Sequence, residues 1–461
     1  MLSKVLKETL DDKRIEGTII GVSVREAETG EIVFEEFGDI RLKPASNMKL
    51  FTAAAALENL GQEYRFSTEL RMDGKIVEGV LDGNLYLVGK GDPTLLEEDF
   101  GLLAARLAAL KIHRITGNLI GDDSWYDDVR LSSGITHPDE VHYYAAEVSA
   151  LTASPSKDYD TGSVLVEIST GTEEGSGTKV SVTPETDHVS IMNNSITVSA
   201  SSPNTLSITR RRSANEIVID GGMPLEEERI SQWVAVSDPT MHALRVFNKA
   251  LLNAGIQTSE KFELKQSQAS DERVLLAERK SIRLSELLIP FMKLSNNGIG
   301  EILTKEMGKV LRQEGTWDAG LAVIEETSSR LGVNTKTMQF KDGSGMSHVN
   351  LIPANEITQL LYVAQQSSWF EPFLTALPVA GVEERMIGGT LRNRMNEGFA
   401  KGNVFAKTGT LATASSLAGY ATTRDGERMI FSVIVNNDLT ENKSLEDSIA
   451  NTIAGYKRKE T

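Results

Sequence analysis

Three short strings of reactive and polar residues stand out in the chain: Ser46-Asn-Met-Lys49, Ser295-Asn-Asn297 and Lys407-Thr-Gly-Thr410. Between them they supply the parts of an acyl transfer: a hydroxyl nucleophile, a lysine base, a polar relay and a cationic strand that anchors a carboxylate. A serine hydroxyl attacks poorly until a base removes its proton, and a lysine buried beside another cation is neutral enough to act as that base. Ser46 and Lys49 are three residues apart, so on a helix they share a face one turn from each other. Ser295 and Asn297, at i and i+2, project from one loop into a cleft. Lys407 falls on the inner edge of a strand, where Gly409 lets a ligand approach the backbone closely. Taken singly, each string also has an ordinary reading: a capping serine with a surface lysine, a helix-linking turn, and an edge-strand lysine that discourages aggregation. Their order along one chain favours the chemistry.

The elements around the strings are arranged to present them. Arg41-Leu-Lys-Pro-Ala45 is a loop closed by a proline, Ser46 is a favoured type at a helix start, and the Ala-rich stretch 50–60 predicts a helix that stops at Gly61. The apolar run 287–293 predicts a helix entering the Ser295 loop, with helix resuming over 301–307. Lys407 sits in the first of three consecutive antiparallel strands, followed by 415–421 and 429–435. Residues 19–24 and 32–34 flank the turn-rich Glu28-Thr-Gly30 as a hairpin and open the same sheet.

From Ser46 to Ser295 the chain runs 249 residues (295 − 46), so a large segment separates the nucleophile from its partners. A length of 461 residues is too great for one ordinary core and suggests about three domains. From about residue 64 the composition turns to strand–turn units with a helix over 100–110. Between about 159 and 223, five β-rich stretches (163–168, 179–183, 196–199, 206–209 and 216–219) alternate with Gly, Ser, Asn and Pro, and read as a small all-β module. Residues 172–178 look like an exposed hairpin loop. Helix returns over 240–254 and again at 284–288.

Composition bounds the surroundings. The chain has no cysteine, which excludes disulfides and cysteine-ligated metals. The formal net charge of −17 argues against nucleic-acid binding as the main task. No apolar run is long enough to span a bilayer, which leaves peripheral membrane association open. The first ten residues carry no apolar core of a signal peptide. His113, His137, His142, His188, His242 and His348 are scattered and form no metal signature, so no metal and no cofactor are expected. The pairs Asp122-Asp123 and Asp127-Asp128 read as a solvated acidic loop in preference to a cation site.

The three strings spell S-x-x-K, S-x-N and K-T-G, the set carried by active-site-serine enzymes that attack acyl-D-alanyl bonds and β-lactams. The chain resembles the low-molecular-mass class C penicillin-binding proteins, the D-Ala-D-Ala carboxypeptidase/endopeptidase family, from about residue 19 to about 439. The likeness extends to Leu85-Tyr-Leu-Val-Gly-Lys-Gly-Asp-Pro-Thr-Leu95, Gly117-Asn-Leu-Ile-Gly-Asp-Asp123, Leu151-Thr-Ala-Ser-Pro155, Lys341-Asp-Gly-Ser-Gly345 and Gly388-Gly-Thr-Leu-Arg392.

The resemblance implies a multidomain α+β protein. A serine β-lactamase/DD-peptidase-like catalytic domain (1–63 and 275–461), an antiparallel sheet with helices, is interrupted by a second domain (64–158 and 224–274) that carries a nested all-β module (159–223). It implies a serine DD-peptidase in which Ser46 is the nucleophile and Lys49 its base, kept neutral by burial and by the charge of Lys407. Ser295 and Lys407 return the proton to the leaving amine, Asn297 orients Lys49, and Lys407, Thr408 and Thr410 bind the substrate carboxylate beside Gly409. Peptidoglycan stem peptides are the implied substrates, β-lactams the covalent inhibitors, and the cell envelope or its exterior the implied location. By the same resemblance Asp139, Tyr144 and His348 fall where a pocket for a diaminopimelate side chain is expected, with His348 standing where some relatives carry arginine. Two alternatives use the same serine: a β-lactamase-like hydrolase and a non-catalytic β-lactam sensor or wall-binding scaffold. Ser-Asn-Asn in place of Ser-Asp-Asn, and the large insert, speak against the first.

Overall fold

The computed structural model describes residues 2–11, 16–136, 138–211, 214–269, 272–440 and 443–457. They fall into two compact units. One comprises Met1–Tyr64, Ser132–Gly134 and Arg283–Thr461, the other Arg65–Leu131 and Ile135–Ile282.

The first unit is built on a five-stranded antiparallel sheet in the order Ile32–Glu36, Ile19–Glu26, Arg428–Asn436, Ala414–Thr422, Val404–Leu411. The N-terminal hairpin and the C-terminal three strands thus close one sheet, as the sequence pattern predicts. Its two middle C-terminal strands are buried at nearly every position and show no polar alternation. The cause is that both faces are covered, which removes the reason for a polar face. On one face Leu2, Leu6, Leu445, Ile449 and Ile453 from the terminal helices pack on Val22, Val24, Leu417, Phe431 and Val433. On the other lies helix Ala354–Ala364, tied by Ser23 Oγ to Thr358 Oγ1 at 2.9 Å and by the Tyr420 hydroxyl donating to Leu361 O at 2.7 Å.

Helix Met48–Leu60 is buried on every side from Met48 to Leu57 and ends at Gly61, whose φ of +84° suits glycine. Its all-round burial explains the alanine run, since small side chains let neighbouring elements come close. The sequence places a helix start at Ser46. Instead, a 3₁₀ turn, Ala45–Asn47, precedes the α-helix, and no side chain caps either element.

In the second unit a five-stranded mixed sheet runs Leu264–Gln266, Leu119–Asp122, Leu85–Lys90, Ser67–Met72, Val274–Lys280. Helices Glu97–Ala109 and Pro239–Asn253 cover it through Phe100, Leu103, Leu107, Leu244 and Phe247. Strands Ser163–Ser169, Lys179–Thr183 and Ile230–Ala235 form a separate antiparallel sheet, and Val164, Val166, Ile168, Ile217, Ile219 and Val234 make an apolar cluster of their own. The pair Asp122-Asp123 corrects the sequence reading, because Asp122 is buried and Asp123 half-buried, each with hydrogen-bond donors. Asp122 accepts from the backbone N–H groups of Ser124 and Ala269 at 2.9 and 2.7 Å. Asp123 takes Arg130 and the Thr240 hydroxyl, the latter at 2.6 Å. A carboxylate withdrawn from water needs such donors, and the sequence alone does not reveal them.

Candidate active site

Ser46 lies in the 3₁₀ turn behind Pro44, and Ala45 before it holds a left-handed φ of +48°. The Ser46 hydroxyl, half-buried, is hydrogen-bonded to Lys49 Nζ at 2.9 Å. Lys49, one helical turn on, is wholly buried, and its Nζ also donates to Asn297 Oδ1 at 2.7 Å and to Ser344 O at 2.6 Å.

The Ser-Asn-Asn string divides three tasks in a way that a simple loop would not. Ser295 takes a left-handed φ of +59°, which turns the chain out of helix Leu284–Lys293. Asn296 caps the next helix, Asn297–Arg312, by accepting from Ile299 N at 3.0 Å. Asn297 is the first helical residue, so its amide points at Lys49 from a fixed backbone. The sequence places this helix start four residues too late, because Gly298 and Gly300 depress helix propensity in the first turn.

Lys407 lies on the outermost strand yet is fully buried, so it does not guard a solvent-facing edge. Its Nζ donates to Ser295 Oγ at 2.8 Å and to Thr408 O at 2.7 Å. Ala406 N donates outward from the sheet to Pro378 O at 2.9 Å. By the two-residue repeat of a strand, the N–H groups of Thr408 and Thr410 face the same free edge. Thr410 is exposed, while Thr408 pairs its hydroxyl with that of Thr390 at 2.7 Å. Gly409 is crowded by the chain itself. A Cβ there would lie 2.3 Å from Ser416 Oγ and 2.9 Å from Pro44 O, so glycine lets the nucleophile turn, not a ligand, approach on that face.

The electrostatics follow from burial. Desolvation pulls the Lys49 amine down to about 7, against the opposing pull of Asp342 and Glu301. Lys407 is also held well below its ordinary value, by burial first and by the like charge of Lys49 second. The sequence reading names burial and the charge of Lys407 together; burial is the principal cause, with Asp342 and Glu301 acting against it.

Asp139 and Tyr144 belong to the second unit and meet there. The Tyr144 hydroxyl donates to Asp139 Oδ1 at 3.2 Å, and the Thr136 hydroxyl donates to the other oxygen. Burial, then Asp139, pushes the Tyr144 phenol up to about 12. The His142 ring stacks on Tyr144 at 5.1 Å, and His137 lies outside the described residues. His348 belongs to the first unit and is half-buried beyond the 342–345 loop. The sequence marks Asp342, Ser344 and Thr390 only as parts of family-like strings, and Thr52 and Glu301 only as parts of helical stretches, with no role for any of them.

Residues 2–457 match the model of the D-Ala-D-Ala carboxypeptidase 3 (S13) family. A D-alanyl-D-alanine carboxypeptidase from Actinomadura sp. (strain R39) is 39% identical over 97% of this chain and 83% of the relative. The crystal structure of penicillin-binding protein 4 (DacB) from Haemophilus influenzae shares the fold, with a TM-score of 0.82 at 23% identity over 98% of each chain. The same protein complexed with a β-lactam superposes at 0.76, again with 23% identity and 98% coverage of each chain. The chain therefore belongs to the D-Ala-D-Ala carboxypeptidase 3 (S13) family.

Proposed function

We propose that the chain is a serine DD-peptidase that cleaves the terminal D-Ala-D-Ala bond, or a D-alanyl cross-link, of peptidoglycan stem peptides outside the cytoplasm. The observation that carries this reading is Lys49 Nζ held between Ser46 Oγ and Asn297 Oδ1, with the Lys407–Ser295 pair completing the proton path.

Neutral Lys49 takes the proton from Ser46 as Oγ bonds to the carbonyl carbon of the penultimate D-Ala. The backbone N–H groups of Ser46 and Thr410 receive the developing oxyanion, and one such donor contributes about 3–4 kcal/mol. Lys407, Thr408 and Thr410 hold the terminal carboxylate, whose charge restores a counter-ion to the buried ammonium. Collapse breaks the C–N bond, and the proton passes through Ser295 and Lys407 to the departing amine nitrogen. Water then attacks the acyl-enzyme and gives its proton to Lys49, which returns it to Ser46 Oγ as the ester bond breaks and the acid leaves. A β-lactam enters the same path and stops at the acyl stage, in keeping with its complex with the H. influenzae relative.

Asp139, which accepts a hydrogen bond from the Tyr144 hydroxyl, is proposed to receive the ammonium group of the substrate's third residue. The test is release of free D-Ala from a D-Ala-D-Ala-terminated peptide, run with the third-residue amine free and acetylated. We expect release that prior penicillin abolishes, and about ten- to a hundredfold faster turnover of the free amine, the effect of losing one charged hydrogen bond. No release of D-Ala overturns the peptidase reading. Equal rates overturn the role of Asp139 alone.

A further inference from the structure

Behind Lys49 lies a polar cluster that the reaction scheme leaves unused. Glu301, buried on helix Asn297–Arg312, accepts three hydrogen bonds: from Trp317 Nε1 at 2.6 Å, from Gly343 N at 3.1 Å and from Ser344 N at 3.0 Å. Asp342, fully buried, accepts from Gly345 N at 2.7 Å, Ser347 N at 2.5 Å and Asn350 Nδ2 at 2.8 Å. The two carboxylates therefore grip the N–H groups on both sides of one tight loop. That loop's carbonyls point the other way, into the nucleophile helix. Gly343 O accepts the Thr52 hydroxyl at 2.7 Å, and Ser344 O accepts Lys49 Nζ at 2.6 Å.

The count of hydrogen bonds at Lys49 gives this clamp a consequence. A neutral amine has two N–H groups and one lone pair. Lys49 Nζ has three neighbours, and two of them, Asn297 Oδ1 and Ser344 O, are carbonyl oxygens that only accept. They occupy both N–H groups, so the lone pair is left facing the third neighbour, the Ser46 hydroxyl, which can donate. Were the Ser344 carbonyl to swing away, an N–H would be free to turn towards Ser46 and the amine would no longer present its basic site.

We propose that Glu301 is a positioning residue for acylation, which fixes the Ser344 carbonyl through the loop N–H groups and so keeps the lone pair of Lys49 aimed at Ser46. The proposal rests on the reading of Ser46 and Lys49 as nucleophile and base. The charged surroundings are Asp342, Lys49 and Lys407, together with Lys305 on the same helix as Glu301, whose ammonium stands 3.9 Å over the Trp317 ring.

The test is Glu301→Gln in the full chain, labelled with penicillin across a range of pH, with the limiting acylation rate and the half-saturating concentration measured separately. Glutamine keeps the shape but sets an NH₂ against an N–H that the carboxylate accepted. We expect the limiting rate to fall roughly ten- to a hundredfold, with half-saturation unchanged. The acid limb of the profile should also move to lower pH: burial, then Asp342, pushes the Glu301 carboxyl up to about 7, and the charge it gains beside Lys49 across that limb has gone. A folded variant with the parent rate and an unmoved limb overturns the proposal. A fall in rate without movement of the limb assigns Glu301 to packing alone and overturns it equally. Should Glu301→Gln not fold, Trp317→Phe releases one of the three donors; the limiting rate is then expected to fall about threefold with half-saturation unchanged, and a folded variant with the parent rate overturns the proposal. Ser46→Ala runs in parallel: labelling that persists there refutes the nucleophile reading, whatever Glu301 does.

Discussion

Two lysines with no room for two charges set the behaviour of the site. Lys49 and Lys407 are both removed from water, and their partners are hydroxyl, amide and carbonyl oxygens within hydrogen-bond reach. With Lys49 held down to about 7, half of it is neutral near that pH. Acylation needs the neutral amine, so its rate at low penicillin concentration is predicted to rise through about pH 7 and level off above. A rate that stays flat from about pH 5.5 to 8.5 would remove Lys49 as the base. Linkage gives the matching sign for stability. The unfolded lysine titrates near its ordinary 10.5, so between about 7 and 10.5 the unfolded chain holds one more proton than the native site. The Lys49 contribution to stability therefore rises with pH across that window and is at its least favourable below 7.

At the scale of elements, backbone geometry decides where the nucleophile stands. Gly345 has a φ of +90°, and a Cβ there would lie 1.9 Å from Ala45 O and 3.0 Å from Ser46 N. The loop clamped by Asp342 and Glu301 is thus seated directly on the turn that carries Ser46. Gly345→Ala is expected to lower stability by about 2 kcal/mol or more, from backbone strain and the forced shift together. Acylation should fall by more than the loss of folded protein explains. Thermal melts beside acylation rates check this, and a variant that matches the parent in both would show that the turn tolerates displacement. Sequence pattern revealed much of this frame. The alanine run of helix Met48–Leu60 and the apolar strand Arg428–Asn436 carry their own signal. Three features did not show in the sequence: the left-handed φ of Ser295, the helix start at Asn297 and the crowding over Gly409. The crowding over Gly409 comes from distant parts of the chain, whereas the start at Asn297 rests on the local Asn296 cap, which the glycines after it obscure.

Across the whole molecule, the partners of Lys49 come from positions 248 and 295 residues further along, while Lys407 meets Ser295 across 112. Motif order made the pairings with Asn297 and Ser295 legible, because the three strings already name those groups, but it did not reveal Ser344. Glu301 carried no such mark: a glutamate among the apolar and glycine residues of a helix reads as surface until Trp317 and the 343–344 backbone are seen to surround it. The 65–282 segment lies between the nucleophile and its partners in sequence, yet Ser46, Lys49, Ser295, Asn297 and Lys407 all fall within the first unit. Among the described residues no helix is long and apolar enough to cross a membrane. The central claim is that one hydroxyl in this unit becomes acylated, and the direct measurement is mass mapping of the intact chain and its peptides after labelled penicillin. The account predicts a single adduct, on the peptide carrying Ser46, that is absent from Ser46→Ala. An adduct on any other residue, or one that survives the substitution, would contradict it.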